Sequence, residues 1–232
     1  MRSGEHGYEV TASGDLVHFR LDGTKANALG AERYAALTEV AASLRPDQVL
    51  LLSSAGANFS AGQDLREFAA AQAAGTVAEL LRQGTDAVLS VLESPATVVA
   101  AVRGAAVGGG ALLAAAADVV LMADDSRIRL PELELGMPLG ASVLERLVGG
   151  PASRRLMLTG AWATAAEVAS YGGAQVVASS ELDRAATDTC EALLAADRGA
   201  RAAARDLFGD GERAAAALGY RAEVAATIER LG

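Results

Sequence analysis

Asn58 to Leu65 reads NFSAGQDL, and Arg103 to Leu113 reads RGAAVGGGALL. Each follows an apolar run and is dense in glycine and alanine, the pattern of a buried strand that ends in a turn and opens into a helix. Glycine has no Cβ, so a ligand can touch the main chain there. The first turn of a helix also carries N–H groups with no intrahelical partner. Each stretch can therefore supply one backbone donor. Two donors from separate segments would make an oxyanion hole for an oxygen that gains negative charge.

The surrounding chain alternates strands and helices. Tyr8 to Val10 and Leu16 to Leu21 flank Ser13-Gly14-Asp15, which predicts a hairpin with His18 on a strand. Leu37, Val40, Ala41 and Leu44 recur at helical spacing and predict a helix over 31–44, ended by Pro46 and Asp47. Residues 49–52, 97–102 and 119–123 are unbroken apolar strands suited to a sheet covered on both faces, with a short fourth at 128–130. A helix is expected over 76–93, more helix from Ala141, a capping box at Thr164 and Glu167, and a last strand at 175–177. Beyond Leu182 the Ala- and Arg-rich chain reads as helices broken at Gly199, Gly209 to Gly211 and Gly219. The whole fits an α/β layering with sites at strand C-termini, without repeats or a disordered linker.

Composition narrows the function. The 232 residues are 51% hydrophobic but only 4% aromatic, so the core is built from Ala, Val and Leu. A net charge of -9 argues against a nucleic-acid surface, and Lys25 is the sole lysine. Cys190 is the one cysteine, and with His6 and His18 it cannot fill a Cys/His zinc site, so no metal is expected. The start MRSGEHGYEV lacks a secretory pattern, and the longest apolar run, 104–117, is short and holds four glycines. A cytoplasmic protein with no membrane partner is expected.

Asn27-Ala28-Leu29, the FSAGQDL and GAAVGGG turns, ADVVLMADDSRIRLPELELG and the later LTGAWATAAEVASYGGAQVV together resemble the crotonase, or enoyl-CoA hydratase/isomerase, superfamily over about residues 8–180. The resemblance implies a ββα spiral core over residues 1–180 that binds and transforms an acyl-CoA thioester. Residues 181–232 would be a C-terminal helical region that closes the pocket or builds a homotrimer or dimer of trimers. Coenzyme A would enter as part of the substrate, with no permanently bound cofactor; a carrier-protein thioester is the other form the substrate could take. Carried over by position, Ala61 and Gly109 would donate the two oxyanion N–H groups. Lys25, Ala26 and the backbone of Ala61, Gly62, Gln63, Asp64 and Leu65 would contact the CoA portion, Gly109 also lying against the thioester. A Walker loop is excluded because Gly110 stands where its lysine is required.

The family's hydratases resemble one another in carrying two glutamates, one just after the GGG run and one in a later PE pair. Here those positions hold Leu112 and Glu132. Hydration needs a water held between proton-relaying groups, whereas shifting a double bond from β,γ to α,β needs one base that moves a proton from C2 to C4. The sequence thus points to a Δ3 to Δ2 enoyl-CoA isomerase with Glu132 as acid/base. A hydratase or another family reaction, such as decarboxylation or carbon–carbon cleavage, and a catalytically silent thioester-binding subunit are the rivals. Glu134, two residues on, would face the other way if extended. Asp64 also suits a helix N-cap. Cys190, His18, Trp162 and Met122, Met137 and Met157 read as structural, and no GxSxG elbow supports a serine hydrolase.

Overall fold

The structure is a computed structural model that describes residues 6–231. A hairpin opens it: β1 (Tyr8–Ser13) pairs antiparallel with β2 (Leu16–Leu21). A four-residue helical turn, α1 (Thr24–Asn27), leads into α2 (Ala31–Ser43) and β3 (Val49–Ser54). Two helices, α3 (Leu65–Ala74) and α4 (Val77–Leu92), cross back to β4 (Thr97–Val102). Then follow β5 (Ala105–Val107), α5 (Gly109–Ala116), β6 (Val119–Ala123) and β7 (Arg127–Arg129). After a 3₁₀ turn at Glu132–Leu135 come α6 (Ala141–Val148), α7 (Gly150–Thr159), β8 (Trp162–Thr164), α8 (Ala165–Ser170) and β9 (Gln175–Val177). Helices α9 (Leu182–Ala195) and α10 (Arg198–Leu231) finish the chain.

The main sheet runs β1-β2-β3-β4-β6-β9, parallel from β2 onward, and a smaller sheet runs β5-β7-β8. Every residue of β3 and β4 is buried, as unbroken apolar runs require of strands covered on both faces. Helix α9 covers one face, setting Leu182, Ala186 and Cys190 on Val49, Leu51, Val99, Ala101 and Leu121. Burial there pushes the Cys190 thiol up to about 12, which leaves it an inert apolar filler. On the other face α2 packs against α4, and α4 and α6 lie on α5, whose Ala and Leu side chains are all buried.

Most expected elements stand where periodicity placed them, including the capping box of Thr164 with Glu167. Two short strands, β5 and β8, were not foreseen; each is three residues long and held by pairing to β7 rather than by its own pattern. The expected glycine breaks in the C-terminal region do not occur, because residues 198–231 form one helix. A helical glycine costs about 1 kcal/mol, and tertiary packing outweighs it here. Ala216, Ala217, Tyr220 and Val224 of α10 join the main core, and Gly219 lets the helix approach Ser142 on α6. Among the described residues no helix is long and apolar enough to cross a membrane, and no cluster of His, Cys, Asp or Glu is placed to hold a metal.

Candidate active site

The two glycine-rich stretches lie side by side. Val107 N–H donates to Ser60 C=O at 2.9 Å, Ser60 N–H to Ala105 C=O at 3.1 Å, and Phe59 N–H to Arg103 C=O at 2.8 Å. Side chains lock the crossing. Asn58 Oδ1 accepts the Ala105 N–H at 3.0 Å, and the Ser60 hydroxyl donates to Asn27 C=O at 2.8 Å. The buried Asn27 amide donates to the carbonyls of Ala55 and Asn58 and accepts the Gly23 N–H, so the NAL segment is the clasp of this end of the molecule. Gly62 has φ 80°, and a Cβ there would sit 2.6 Å from Val107 C=O, so only glycine fits the contact.

Ala61, expected to supply an oxyanion donor, has its N–H committed to Ala26 C=O at 2.9 Å and does not line the cavity beside Glu132. Two residues on, the arrangement differs. Gly62 C=O accepts from Leu29 N–H at 2.7 Å and Asp64 N–H donates to Leu29 C=O at 2.8 Å. Such a bridge turns the peptide groups of Gln63 to the opposite side. Among the described residues the Gln63 N–H has no partner, and Gln63 lines the cavity. Gly109 is the first residue of α5, so its N–H has no intrahelical acceptor, and it lines the same cavity. The Ala61 N–H expected as a donor is thus paired within the fold, and the amides without a partner among the residues that line the cavity include those of Gln63 and Gly109.

Glu132 lines the same cavity. It starts the 3₁₀ turn after Pro131, is 7% exposed, and has one carboxylate oxygen, Oε2, without a hydrogen-bond partner. Burial pushes its pKa up to about 8, opposed by its own backbone N–H and by Arg129. The other oxygen rests against Gly108, where an added Cβ would stand 2.5 Å from Oε1; Gly108 also has φ 52°. Glu134 points away and pairs with Arg129, because the segment is a tight helical turn rather than extended. Leu112 is buried in the wall, and among the lining residues Glu132 is the one carboxylate.

The remaining walls are Leu80, Leu81, Gly84, Thr85 and Val88 of α4, with Met137, Leu139, Tyr34 and Tyr220. They bound a cavity of about 50 Å³. Tyr34, Thr85 and Tyr220 were missed in the sequence. Tyr34 falls in the same helical stripe as Leu37 and Ala41 and reads as core, and Tyr220 comes from the distant α10. Met137, read as core, is also wall. Asp64 caps α3 by accepting the N–H groups of Arg66 and Glu67, Ala61 is exposed, and Leu65 is 62% exposed beside it. The side chain of Lys25 lies outside those described. Asp118 and Asp124 are spent on structure, the first on Val98 N–H and Arg205, the second on Ser179.

A loop amide, a helix-start amide and one buried carboxylate thus line one small, largely apolar cavity. Comparison with known proteins gives the class. The profile of the enoyl-CoA hydratase/isomerase family matches residues 12–225, and the chain belongs to that family, within the crotonase superfamily of acyl-CoA enzymes. It is 33% identical to the (7aS)-7a-methyl-1,5-dioxo-2,3,5,6,7,7a-hexahydro-1H-indene-carboxyl-CoA hydrolase of Mycobacterium tuberculosis, over 78% of this chain and 74% of the relative. It is 31% identical to carnitinyl-CoA dehydratase of Salmonella heidelberg, over 91% and 84% of the two chains. The fold is that of solved crotonases: an enoyl-CoA hydratase/isomerase from Mycobacterium paratuberculosis superposes with a TM-score of 0.87 at 22% identity, covering 97% of this chain and 94% of that one. The enoyl-CoA hydratase from Bacillus halodurans gives 0.83 at 22%, over 97% and 95%.

Proposed function

We propose that this enzyme shifts a double bond in an enoyl-CoA, from the β,γ to the α,β position, through a thioester enolate. The carrying observation is that Glu132 is the one carboxylate among the residues lining the cavity, with Leu112 where a second acid would stand. The thioester oxygen accepts the N–H groups of Gln63 and Gly109. Glu132, deprotonated, takes the proton from C2, and the C–H pair moves into the enolate, whose oxygen the two amides hold; Glu132 then returns the proton to C4, where the C3–C4 π pair takes it up, while the enolate pair forms the C2–C3 double bond and the thioester carbonyl returns. Each preorganised donor contributes about 3–4 kcal/mol to the barrier reduction. The backbone of Ala61 to Leu65 and Ala26, with Lys25, flanks the path of the CoA chain, and the exposed Leu65 side chain offers it an apolar rest. In solution the chain would assemble as a trimer or a dimer of trimers.

Incubation with 3-enoyl-CoA and, separately, 2-enoyl-CoA tests the reading. Isomerisation of the first, lost by about 10²–10⁴ in Glu132→Gln, is the expected result. Hydration of the second with little isomerisation would overturn it. The second reading, a hydratase or another reaction of the family, is favoured by the named activities of the two relatives, a hydrolase and a dehydratase.

A further inference from the structure

Helix α10 carries Arg201, Arg205, Gly209 and Arg213 at intervals of four, and they line one cleft with Arg146 of α6 and with Asp118. The glycine seats a guanidinium. A Cβ at Gly209 would fall 1.9 Å from Arg213 Cζ, and Arg213 folds back to donate to Arg205 C=O at 2.9 Å. Asp118 answers part of the charge: it accepts from Arg205 Nε at 2.8 Å and lies 3.8 Å from Arg213, while Arg146 pairs with Glu212. Arg201 has no carboxylate partner among the described residues. Its two Nη atoms donate to Leu193 C=O and Asp47 C=O, which caps α9 and ties down the turn before β3 but leaves Nε over. Arg201 Nε and Arg205 Nη2 are both buried without a hydrogen-bond partner, Arg201 being 8% exposed and the Arg205 side chain 8%. A buried guanidinium short of its counter-charge and hydrogen bonds is unfavourable. Burial, with Arg205 and Arg146 close by, also pulls the Arg213 guanidinium below its ordinary pKa range despite Asp118 and Asp206.

We propose that this cleft is a second, anion-binding site that takes a phosphate group, free or carried by a small molecule. The guanidinium fork matches the oxygens of phosphate, and a tetrahedral anion can answer several arginines at once where a carboxylate answers one. The cleft holds about 240 Å³, many times the space of one water, so a phosphate with a small substituent fits. It is separate from the acyl-CoA site. Thr97 and Asp118 stand at the starts of the parallel strands β4 and β6, whereas the loop of Gln63 and the start of α5 at Gly109 follow the far ends of β3 and β4. The length of β4 holds the two ends about 16 Å apart, at about 3.3 Å per residue.

Equilibrium dialysis of radiolabelled inorganic phosphate against the full chain, at fixed ionic strength, tests the site. Wild type is expected to bind one phosphate per chain, saturably, with CoA unable to displace it. Arg201→Gln and Arg205→Gln should each weaken binding at least tenfold, and Arg205→Lys, which keeps a charge beside Asp118, should weaken it less than Arg205→Gln. Arg20→Gln, on β2 and away from the cleft, should leave it within twofold. Glycerol 3-phosphate competing more tightly than inorganic phosphate supports the site and assigns it to a small molecule; equal or weaker competition supports it as a site for the free ion. No saturable binding to wild type, displacement by CoA, succinate bound as tightly as phosphate, or unchanged binding in Arg201→Gln and Arg205→Gln overturns the inference. The first three of these are read on wild type alone, so they decide the matter even where a variant fails to fold.

Discussion

Gly108 and Gly219 each stand where an added methyl would strike a side-chain oxygen, that of Glu132 in the first case and of Ser142 in the second. Beside Gly219 the Ser142 and Glu223 side chains are paired with each other. Glu223 accepts the N–H groups of Gly140 and Ser142 at 2.6 and 3.0 Å and the Ser142 hydroxyl at 2.6 Å, which satisfies the start of α6. Around Gly108 polar groups are left over: Glu132 Oε2 and the amides of Gln63 and Gly109 have no partner among the described residues. Both glycines permit close approach, but one approach closes a structural joint and the other lies beside groups left unpaired within the chain. What sets the cavity end apart is not glycine itself but an unpaired carboxylate oxygen beside two unpaired amides.

The largest consequence of that difference is a pH-dependent stability. Burial raises the pKa of Glu132 from an ordinary 4.5 to about 8, so between these values the folded chain holds a proton that the unfolded chain has released. Stability from this group is therefore full below about pH 4.5, falls as pH rises, and reaches its floor above about 8. The loss is at most about 5 kcal/mol, at about 1.4 kcal/mol per pKa unit. Glu132→Gln cannot titrate. Chemical denaturation of wild type and variant at pH 5 and pH 9 should show the variant gaining relative stability at the higher pH. The same titration should make wild-type kcat/KM rise up to about pH 8, because the base must be deprotonated. Parallel stability curves for the two proteins would show that Glu132 is solvated and that the two glycine regions do not differ in this way.

Gly108→Ala and Gly219→Ala sharpen the contrast by adding the same methyl at both places. At Gly108 the methyl displaces the carboxylate and forces alanine to φ 52°, so turnover should fall by about 10²–10³, comparable to losing an acid/base group. At Gly219 overpacking against Ser142 costs about 1–3 kcal/mol, partly offset by about 1 kcal/mol of helix propensity, and turnover per folded molecule should stay within about threefold. Activity and melting temperature measured on both variants decide it. Equal damage to activity would mean that the joint between α6 and α10 belongs to the site.

The contrast also explains what could be read from the sequence. The parallel strands were legible because full burial imposes unbroken apolar runs such as VLLLSS at 49–54, and the glycine turns because a backbone contact needs a missing side chain. Glu132 followed from the family pattern, since a carboxylate after proline has no local signal of burial. That the Ala61 amide is paired within the fold while that of Gln63 is not was not legible. Which amide of a loop is free depends on whether Ala26 or Leu29 pairs with it, and these lie far off in the chain. Tyr34 and Tyr220 were hidden for a different reason: helical spacing reports which face is buried, not which part of that face lines a cavity.

The continuity of α10 offers the smallest and most exacting test. Local propensity favours a break at Gly209 to Gly211, yet the chain runs helically through it. Gly211 has nothing within 4 Å of a built Cβ and no left-handed φ, so alanine there adds no clash and removes conformational freedom from the unfolded chain. Gly211→Ala should therefore stabilise by about 0.4–1 kcal/mol and raise the melting temperature by about 1–4 °C, with turnover unchanged. If the helix were interrupted there, with glycine in a turn that only glycine adopts, the same substitution would destabilise instead. The sign of one small shift in a thermal scan thus separates a continuous α10, which brings Tyr220 to the cavity, from the broken helices that the sequence suggests.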